Sequence, residues 1–185
     1  MSRVVFYTAT TLNGFIATED NSLDWLFEVG SPDAVDFKSF LAGIDVVVSG
    51  STTYEWVYDF EKLAETPEKW KEFYGDRTAF IFTSRELPAP PGEDIRFVQG
   101  PVTDHLEAIK SCAGDGDIWV IGGGDLAGQF LDAGALDEIQ MTITPVALKA
   151  GAPLFPRDIR SDRLELKTVE KFGQFAHLTF EVRPA

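Results

Sequence analysis

The sequence predicts an α/β protein with a mostly parallel central sheet, helices on both faces and an antiparallel hairpin at the C-terminus. Short continuous apolar runs such as residues 45–49 and 117–121 are typical of strands covered on both faces. Segments with helical spacing alternate with these runs, as in a parallel sheet with crossover helices. Two strand-like segments near the C-terminus are separated only by a turn at Gly173. The length of 185 residues fits one domain, expected over residues 1–185.

The N-terminal half divides into elements as follows. Residues 3–9 are β-branched and aromatic and predict a strand, which the dipeptide Asn13-Gly14 ends in a turn. Ser31 and Pro32 suit the N-cap and first position of a helix over 32–41. The remaining predictions are a strand over 45–49, a helix from 51 to about 63, a short helix over 67–74 and a buried strand over 78–83.

The C-terminal half continues the alternation. We predict a short strand over 95–98, a helix over 102–112, a strand over 117–121 and a helix from 124 to about 133. A strand over 138–145, a loop over 146–160 and a hairpin of residues 164–172 and 175–182 follow.

Composition excludes several classes of protein. The net charge of −14 and the lack of a basic stripe argue against nucleic-acid binding. The single cysteine, Cys112, cannot form an internal disulfide and fits a reducing compartment. No apolar stretch resembles a membrane span or an export signal, so we expect a cytoplasmic protein. Two histidines, His105 and His177, are too few and too far apart to predict a metal site.

The segment Val120-Ile-Gly-Gly-Gly-Asp-Leu-Ala-Gly128 is the most informative part of the sequence. A buried strand leads into glycines that open a helix, so unpaired N–H groups and the helix dipole can face an anion. A tight turn with small residues for packing is the alternative interpretation. Gly122, Gly124 and Ala127 formally satisfy the Rossmann pattern G-x-G-x-x-A. However, the next strand ends without the acidic residue that would hold a ribose, and too little chain follows for further βαβ units.

Several motifs occur in order along nearly the whole chain. They are Ala9-Thr-Thr-Leu-Asn-Gly-Phe-Ile-Ala17, Val47-Val-Ser-Gly-Ser-Thr-Thr-Tyr-Glu55, Phe82-Thr-Ser-Arg85, Val120-Ile-Gly-Gly-Gly124, Asp137-Glu-Ile139, Thr144-Pro145 and Gly151-Ala-Pro-Leu-Phe-Pro156. Together they resemble the dihydrofolate-reductase-like superfamily, particularly the C-terminal reductase domain of the riboflavin biosynthesis protein RibD.

The resemblance implies that NADPH binds across the carboxyl ends of the strands. Ala9, Ile16 and Ala17 would border the nicotinamide, and Gly122, Gly123 and Gly124 would line the diphosphate and the nicotinamide ribose. The adjoining Ile121, Asp125 and Leu126 are also expected to contact the coenzyme. Gly50, Ser51, Thr52 and Thr53 would hold the diphosphate, although these hydroxyls could simply cap a helix. Thr83, Ser84 and Arg85 correspond to contacts of the adenosine 2′-phosphate.

Two departures from the family pattern concern this 2′-phosphate. Ser51 and Asp125 stand where relatives often carry basic residues. The expected preference for NADPH over NADH therefore depends largely on Arg85.

The resemblance also implies residues for the reaction. Asp36, before Phe37 and Phe40, would be the acid or the substrate anchor, with Asp33 as the alternative in another helix register. Trp25 would border the substrate or belong to the core, and Thr142 would contact the substrate or the carboxylate. Asn13 replaces an aspartate that the riboflavin branch often carries in this turn, which makes authentic riboflavin chemistry a weaker expectation.

The leading hypothesis is an NADPH-dependent reductase of a small heterocycle, either pterin-like or a ribosylaminopyrimidine such as 5-amino-6-(5-phosphoribosylamino)uracil. The alternatives are a true dihydrofolate reductase and a nicotinamide-nucleotide-binding module without catalysis. The resemblance further implies a homodimer.

Overall fold

The computed structural model describes residues 2–30 and 37–184. The strands are β1 (Val4–Thr11), β2 (Phe15–Ala17), β3 (Ile44–Gly50), β4 (Thr78–Phe82), β5 (Ile95–Val98), β6 (Asp117–Gly122), β7 (Glu138–Thr144), β8 (Ala152–Pro153), β9 (Leu164–Phe172) and β10 (Phe175–Val182). The helices are α1 (Asp24–Glu28), α2 (Phe37–Ala42), α3 (Ser51–Phe60), α4 (Glu68–Tyr74), α5 (Leu106–Ala113) and α6 (Gly124–Asp132).

An eight-stranded sheet forms the centre, in the order β5-β4-β3-β6-β1-β7-β10-β9. The six strands from β5 to β7 pair in parallel, whereas β10 pairs antiparallel to both β7 and β9. Helices cover both faces. The predicted fold class, with its parallel sheet and C-terminal antiparallel hairpin, is confirmed.

Side chains of β1 alternate between two cores because successive residues of a strand point to opposite faces. Val4 and Phe6 are fully buried in one cluster, which also contains residues of α5 and α6. Val5 and Tyr7 belong to the other cluster, with residues of α3 and α4. The sheet is therefore the middle of three layers, with α5 and α6 on one face and α3 and α4 on the other.

Three elements differ from the sequence prediction. β2 and β8 form a separate two-stranded sheet, although residues 146–160 were expected to be loop. α1 was not predicted, because five residues are too few to show a helical period. The helix expected over 102–112 is divided into a 3-10 turn at Val102–Asp104 and α5. Of the helix expected over 32–41, residues 37–41 lie in α2, and Ser31 and Pro32 lie outside the described residues.

Within residues 2–30 and 37–184, no helix has the length and hydropathy needed to cross a bilayer. The same residues contain no group of three or more His, Cys, Asp or Glu side chains placed to share a metal ion.

Candidate active site

A gap opens between two neighbouring strands at the carboxyl end of the sheet. β1 pairs with β6 only as far as Phe6 and Val120. Beyond that point β1 stays with β7, up to the pair Thr11 and Thr144, while β6 stays with β3. The separation leaves residues 7–9 and 121–123 facing each other across a space that no strand fills.

Two helices begin beside this gap. α3 follows β3 and α6 follows β6, and these strands are neighbours through the pair Ser49 and Gly122. The two helices leave toward opposite faces, since Tyr54 of α3 and Phe130 of α6 belong to different core clusters. In open α/β sheets, this point is where ligands bind.

Neither helix has a side-chain hydrogen bond at its N-cap among the described residues. The N-caps are Gly50 and Gly123, which carry no side chain that could accept from the first backbone N–H groups. Ser51, Thr52 and Thr53 are consequently first-turn residues, and the alternative that they are N-caps is wrong. The first backbone N–H groups of α3 and α6 therefore have no N-cap side chain to donate to, and each set, at the positive end of a helix dipole, favours an anion.

A cleft of about 520 Å³ lies over these helix starts, and we call it the larger cleft. It brings together most of the residues that the sequence assigned to the coenzyme: Ile16, Ala17, Gly50, Ser51, Thr52, Thr53, Ile121, Gly122, Gly123, Gly124, Asp125 and Leu126. Thr8, Trp56 and Gln129 also line it and were not predicted.

The three glycines of the turn have different surroundings. A Cβ on Gly124 would lie 2.3 Å from the carbonyl oxygen of Leu154, so this glycine is needed for packing against the chain beside β8. A Cβ on Gly123 would meet only Ile16 Cδ1, at 3.9 Å, and the peptide bond between Gly122 and Gly123 is cis. The packing interpretation therefore holds for Gly124, whereas Gly123 leaves open space for a ligand.

Thr83, Ser84 and Arg85 do not line the larger cleft, although the preceding Phe82 does. The guanidinium of Arg85 donates to both carboxylate oxygens of Glu55, at 2.9 and 2.5 Å. The expected partner of a 2′-phosphate is thus occupied by an acidic side chain of α3. Glu55 was not singled out in the sequence, because no spacing rule connects residues 55 and 85.

Asp125 is also paired. Its Oδ1 accepts from Arg157 Nη1 at 3.0 Å and its Oδ2 accepts from Gln129 Nε2 at 3.1 Å. Hydrogen bonds from Gln129 and Arg157 lower the pKa of the Asp125 carboxyl. Arg157 therefore offsets the negative charge of Asp125 in the first turn of α6, and it also forms an ion pair with Asp132 at the end of the same helix.

A second cleft of about 420 Å³ adjoins the first, and we call it the smaller cleft. The two share Thr8 and Ile121, which lie on either side of the gap. Ala9 and Thr142 line the smaller cleft, so Ala9 lies on the far side of the gap from most of the other residues assigned to the coenzyme. A ligand bound in the larger cleft and a second ligand bound in the smaller cleft would therefore contact each other at the gap.

Thr142 belongs to a buried polar network at the floor of the smaller cleft. Its Oγ1 lies 3.0 Å from Nδ1 of His177 and 3.5 Å from the hydroxyl of Tyr7. Burial lowers the pKa of His177, against the opposing effect of Glu170 and Glu138. Burial likewise raises the pKa of the Tyr7 hydroxyl. Burial thus favours the neutral form of His177, and its Nδ1 shares a hydrogen bond with the Thr142 hydroxyl in which either group can be the donor, according to the imidazole tautomer.

His177 had been considered only as a metal ligand, and its place in this network was missed. The signal was present in the alternation of β10, where Phe175 and His177 point to the same buried face.

One of the expected catalytic residues, Trp25, is not brought to either cleft, and another, Asp36, is not described. Trp25 is buried, but it lines neither cleft, and its indole Nε1 has no hydrogen-bond partner among the described residues. Asp36 and its alternative Asp33 lie outside the described residues. Their segment, 31–36, joins Gly30 and Phe37, both of which line the smaller cleft.

Comparison with known proteins decides the family. The profile of the RibD C-terminal domain matches residues 2–178. The chain belongs to the RibD C-terminal domain family. This confirms the resemblance inferred from the ordered motifs.

The chain is also similar to individual proteins. It is 31% identical over 178 residues to the uncharacterized protein YwjB of Bacillus subtilis, covering 96% of this chain and 97% of that protein. A crystal structure from Shewanella sp. PV-4, provisionally named a riboflavin biosynthesis protein, has 26% identity and a TM-score of 0.76 over 98% of this chain and 99% of its own. Dihydrofolate reductase from Enterococcus faecalis, solved with NADP(H), has 19% identity and a TM-score of 0.60 over 97% of this chain and 96% of its own. This last likeness shows that the RibD C-terminal fold is dihydrofolate-reductase-like.

Proposed function

We propose that the protein is a reductase that uses NADPH to reduce a small heterocycle. The observation that carries the proposal is the meeting of two uncapped helix N-termini beside a gap in the sheet, with a second cleft on the far side of that gap. Membership of the RibD C-terminal domain family and the likeness to a dihydrofolate reductase support an oxidoreductase.

The larger cleft suits the coenzyme because the groups that would bind its diphosphate line the cleft itself, although the protein as a whole is negatively charged. Backbone N–H groups at the starts of α3 and α6, with the hydroxyls of Ser51 and Thr52, can hold a diphosphate that the net charge of −14 would repel. Gly123 leaves the space that close approach of a phosphate to the main chain requires. Ile16 and Ala17 would then border the nicotinamide.

The bound coenzyme would supply a hydride, and the chain would supply orientation and a water-poor pocket. Thr8 and Ile121, shared by both clefts, would hold the coenzyme and the substrate in contact. Thr142, oriented by His177, would donate to or accept from the heterocycle. We retain Asp36 as the proposed proton donor, with Asp33 as the alternative.

To bind the 2′-phosphate of NADPH, Arg85 would have to give up its ion pair with Glu55. Both side chains are partly exposed, and an exposed ion pair contributes only about 0–1 kcal/mol, so this exchange costs little. NADPH thus remains the proposed coenzyme, although Glu55 reduces its advantage over NADH.

A binding module without catalysis is the second candidate, favoured by the pairing of Arg85 with Glu55. Single-turnover oxidation of NADPH, measured with dihydropterin and ribosylaminopyrimidine compounds, separates the two. If NADPH is oxidised only when one of these compounds is present, the protein is a reductase. If NADPH binds saturably but none of the compounds causes its oxidation, the protein is a binding module without catalysis. Dihydrofolate reductase activity is not favoured, because Trp25 lines neither cleft.

We further propose that residues 1–185 act as one domain in the cytoplasm and associate as a homodimer, as in the riboflavin branch. Sedimentation equilibrium should give twice the chain mass of 20.4 kDa. A mass of one chain at all concentrations would contradict the dimer.

A further inference from the structure

The hydroxyl of Thr142 has a single proton and more than one group that can accept it. Its Oγ1 lies 3.0 Å from Nδ1 of His177 and 3.5 Å from the hydroxyl of Tyr7. Thr142 and Tyr7 line the smaller cleft, whereas His177 lies behind them and does not line it. A hydroxyl group donates one hydrogen bond and accepts up to two, so its bond to His177 decides what it can offer to a molecule in the cleft.

The sheet holds these three side chains in place. His177 in β10 is the cross-strand partner of Thr142 in β7, and β1, which carries Tyr7, pairs with the other edge of β7. The rings of Tyr7 and His177 pack edge to face, with 5.3 Å between their centroids. Thr142, His177 and Tyr7 are 4%, 8% and 9% exposed, so solvent competes little for their hydrogen bonds.

With neutral His177, the hydrogen bonds run from Tyr7 toward His177. Within residues 2–30 and 37–184, Thr142 is the only hydrogen-bond partner of the Tyr7 hydroxyl, and a buried phenol needs an acceptor for its proton. Tyr7 therefore donates to Thr142, and Thr142 donates to Nδ1 of His177, in the tautomer protonated at Nε2. The Thr142 oxygen then has one lone pair left, so it can only accept a hydrogen bond from a molecule in the cleft.

Protonation of His177 reverses this order. An imidazolium carries a proton on each ring nitrogen, so Nδ1 must donate to Thr142 Oγ1. The proton of the Thr142 hydroxyl is then released from His177. It becomes available to an acceptor in the cleft.

The surroundings of His177 set how readily it is protonated. Burial lowers its pKa, against the opposing effect of the carboxylates of Glu170 and Glu138. Glu170 is its cross-strand partner on β9, and Glu138, on β7, is already paired with Arg3. Tyr7 on β1 is the third titratable side chain that the described residues bring to the imidazole. The neutral form therefore dominates at neutral pH, and acid conditions favour the reversed order.

We infer, resting on the proposed reductase function, that His177 is a positioning residue that sets the direction of the hydrogen bond between Thr142 and the substrate, and that protonation of its imidazole reverses this direction. Neutral His177 makes Thr142 an acceptor for an N–H group of the substrate. Protonated His177 makes Thr142 a donor to a ring nitrogen or a carbonyl oxygen.

Two bicyclic probes that stay neutral separate the two directions. Indole has an N–H donor and no ring-nitrogen acceptor, whereas quinoxaline has ring-nitrogen acceptors and no donor. Because coupling between two binding events is reciprocal, saturating indole should lower the pKa of His177 and saturating quinoxaline should raise it. One hydrogen bond corresponds to a change in the acid dissociation constant of about twofold to tenfold in each case.

Proton NMR of the histidine Cε1–H resonances, recorded between about pH 4 and pH 8, measures these changes. The chain has two histidines, so the signals are easily assigned. His105 lines neither cleft and is the internal control. Its resonance should be the same with and without each probe.

A variant without the hydroxyl tests the route of the effect. In Thr142→Val, the opposite shifts caused by indole and quinoxaline should disappear. In the free protein, the same variant should lower the pKa of His177 further, because the imidazolium loses an acceptor and hydrogen bonds to charged groups are the stronger ones. Thr144→Val is the matched control: the Thr144 hydroxyl donates to the Thr10 carbonyl, lines neither cleft and should leave the shifts as they are in the unchanged protein.

Three results would overturn the inference. They are probe-induced shifts of equal size in Thr142→Val, a pKa of His177 that is not lowered by Thr142→Val in the free protein, and a His177 resonance that does not titrate above pH 4. A separate titration with NADPH keeps the two claims apart. If NADPH binds and the His177 shifts are absent, the reductase proposal stands and only the role of His177 is wrong. If NADPH does not bind at saturating concentration, the proposed function fails, whatever the imidazole does.

Discussion

Replacement of Gly123 by alanine tests the coenzyme site with little disturbance of the fold. Gly123 has φ −81° and ψ −178°, an extended conformation that alanine adopts freely. The added Cβ would meet only Ile16 Cδ1, at 3.9 Å, which is an ordinary van der Waals contact. We therefore expect the free energy of unfolding to change by less than about 0.5 kcal/mol.

The effect on coenzyme binding should be much larger. The methyl group would occupy the space through which a phosphate approaches the N–H groups at the start of α6. Losing one hydrogen bond to a charged group costs about 1.5–3 kcal/mol, which corresponds to a dissociation constant for NADPH about 10- to 150-fold higher. Isothermal titration calorimetry with NADPH and a thermal unfolding scan measure the two effects separately.

Gly43→Ala is the matched control. A Cβ at Gly43 would lie 3.8 Å from the Phe40 carbonyl oxygen, and Gly43 directly precedes β3, at the opposite end of the sheet from the clefts. This variant should bind NADPH as the unchanged protein does. Unaltered NADPH affinity in a well-folded Gly123→Ala protein would refute the assignment of the diphosphate to this turn.

Three further variants test other parts of the account. Gly124→Ala should lower the unfolding temperature, measured by circular dichroism, because its Cβ would overlap the Leu154 carbonyl oxygen at 2.3 Å; an unchanged temperature would contradict this packing. Glu55→Gln should raise the NADPH-to-NADH affinity ratio up to about fivefold by releasing Arg85, and a lower ratio would show that the pair helps to bind the phosphate. Burial lowers the pKa of His177, so its contribution to stability is complete above the unfolded pKa of about 6.5 and is lost as the pH falls toward the lower folded value. Between about pH 7.5 and 5.5, the midpoint of urea unfolding should therefore change less with pH in His177→Asn than in the unchanged protein. An equal dependence on pH in the two proteins would contradict the burial of a neutral imidazole at this position.

The centre of the sheet could be predicted from the sequence because β3, β4 and β6 each contain a short continuous apolar run. The hairpin bounds, 164–172 and 175–182, agree with β9 and β10, since two strand-like segments separated by two residues, with glycine at the first, are typical of a hairpin. β2 and β8 could not be predicted, because their pairing joins segments more than a hundred residues apart and each is too short to show alternation.

The parts of the candidate site that consist of backbone could be predicted from the sequence. The contacts between side chains of separate elements could not. Gly50 and Gly123 were found because a strand that leads through glycine into a helix is a local pattern. The pairing of Arg85 with Glu55 and the contact of His177 with Thr142 arise only when separate elements pack together. The sequence indicated Arg85 as the proposed partner of a 2′-phosphate, but it could not show that the Arg85 guanidinium is paired with Glu55.

The most direct measurement follows the backbone amide resonances of ¹⁵N-labelled protein during titration with NADPH. The account predicts the largest shifts at Ser51, Thr52, Gly123 and Gly124, in the first turns of α3 and α6, and weaker shifts for the same amides in Gly123→Ala. Shifts confined to other surfaces, or none at saturating NADPH, would contradict the claim that these two helix starts hold the diphosphate.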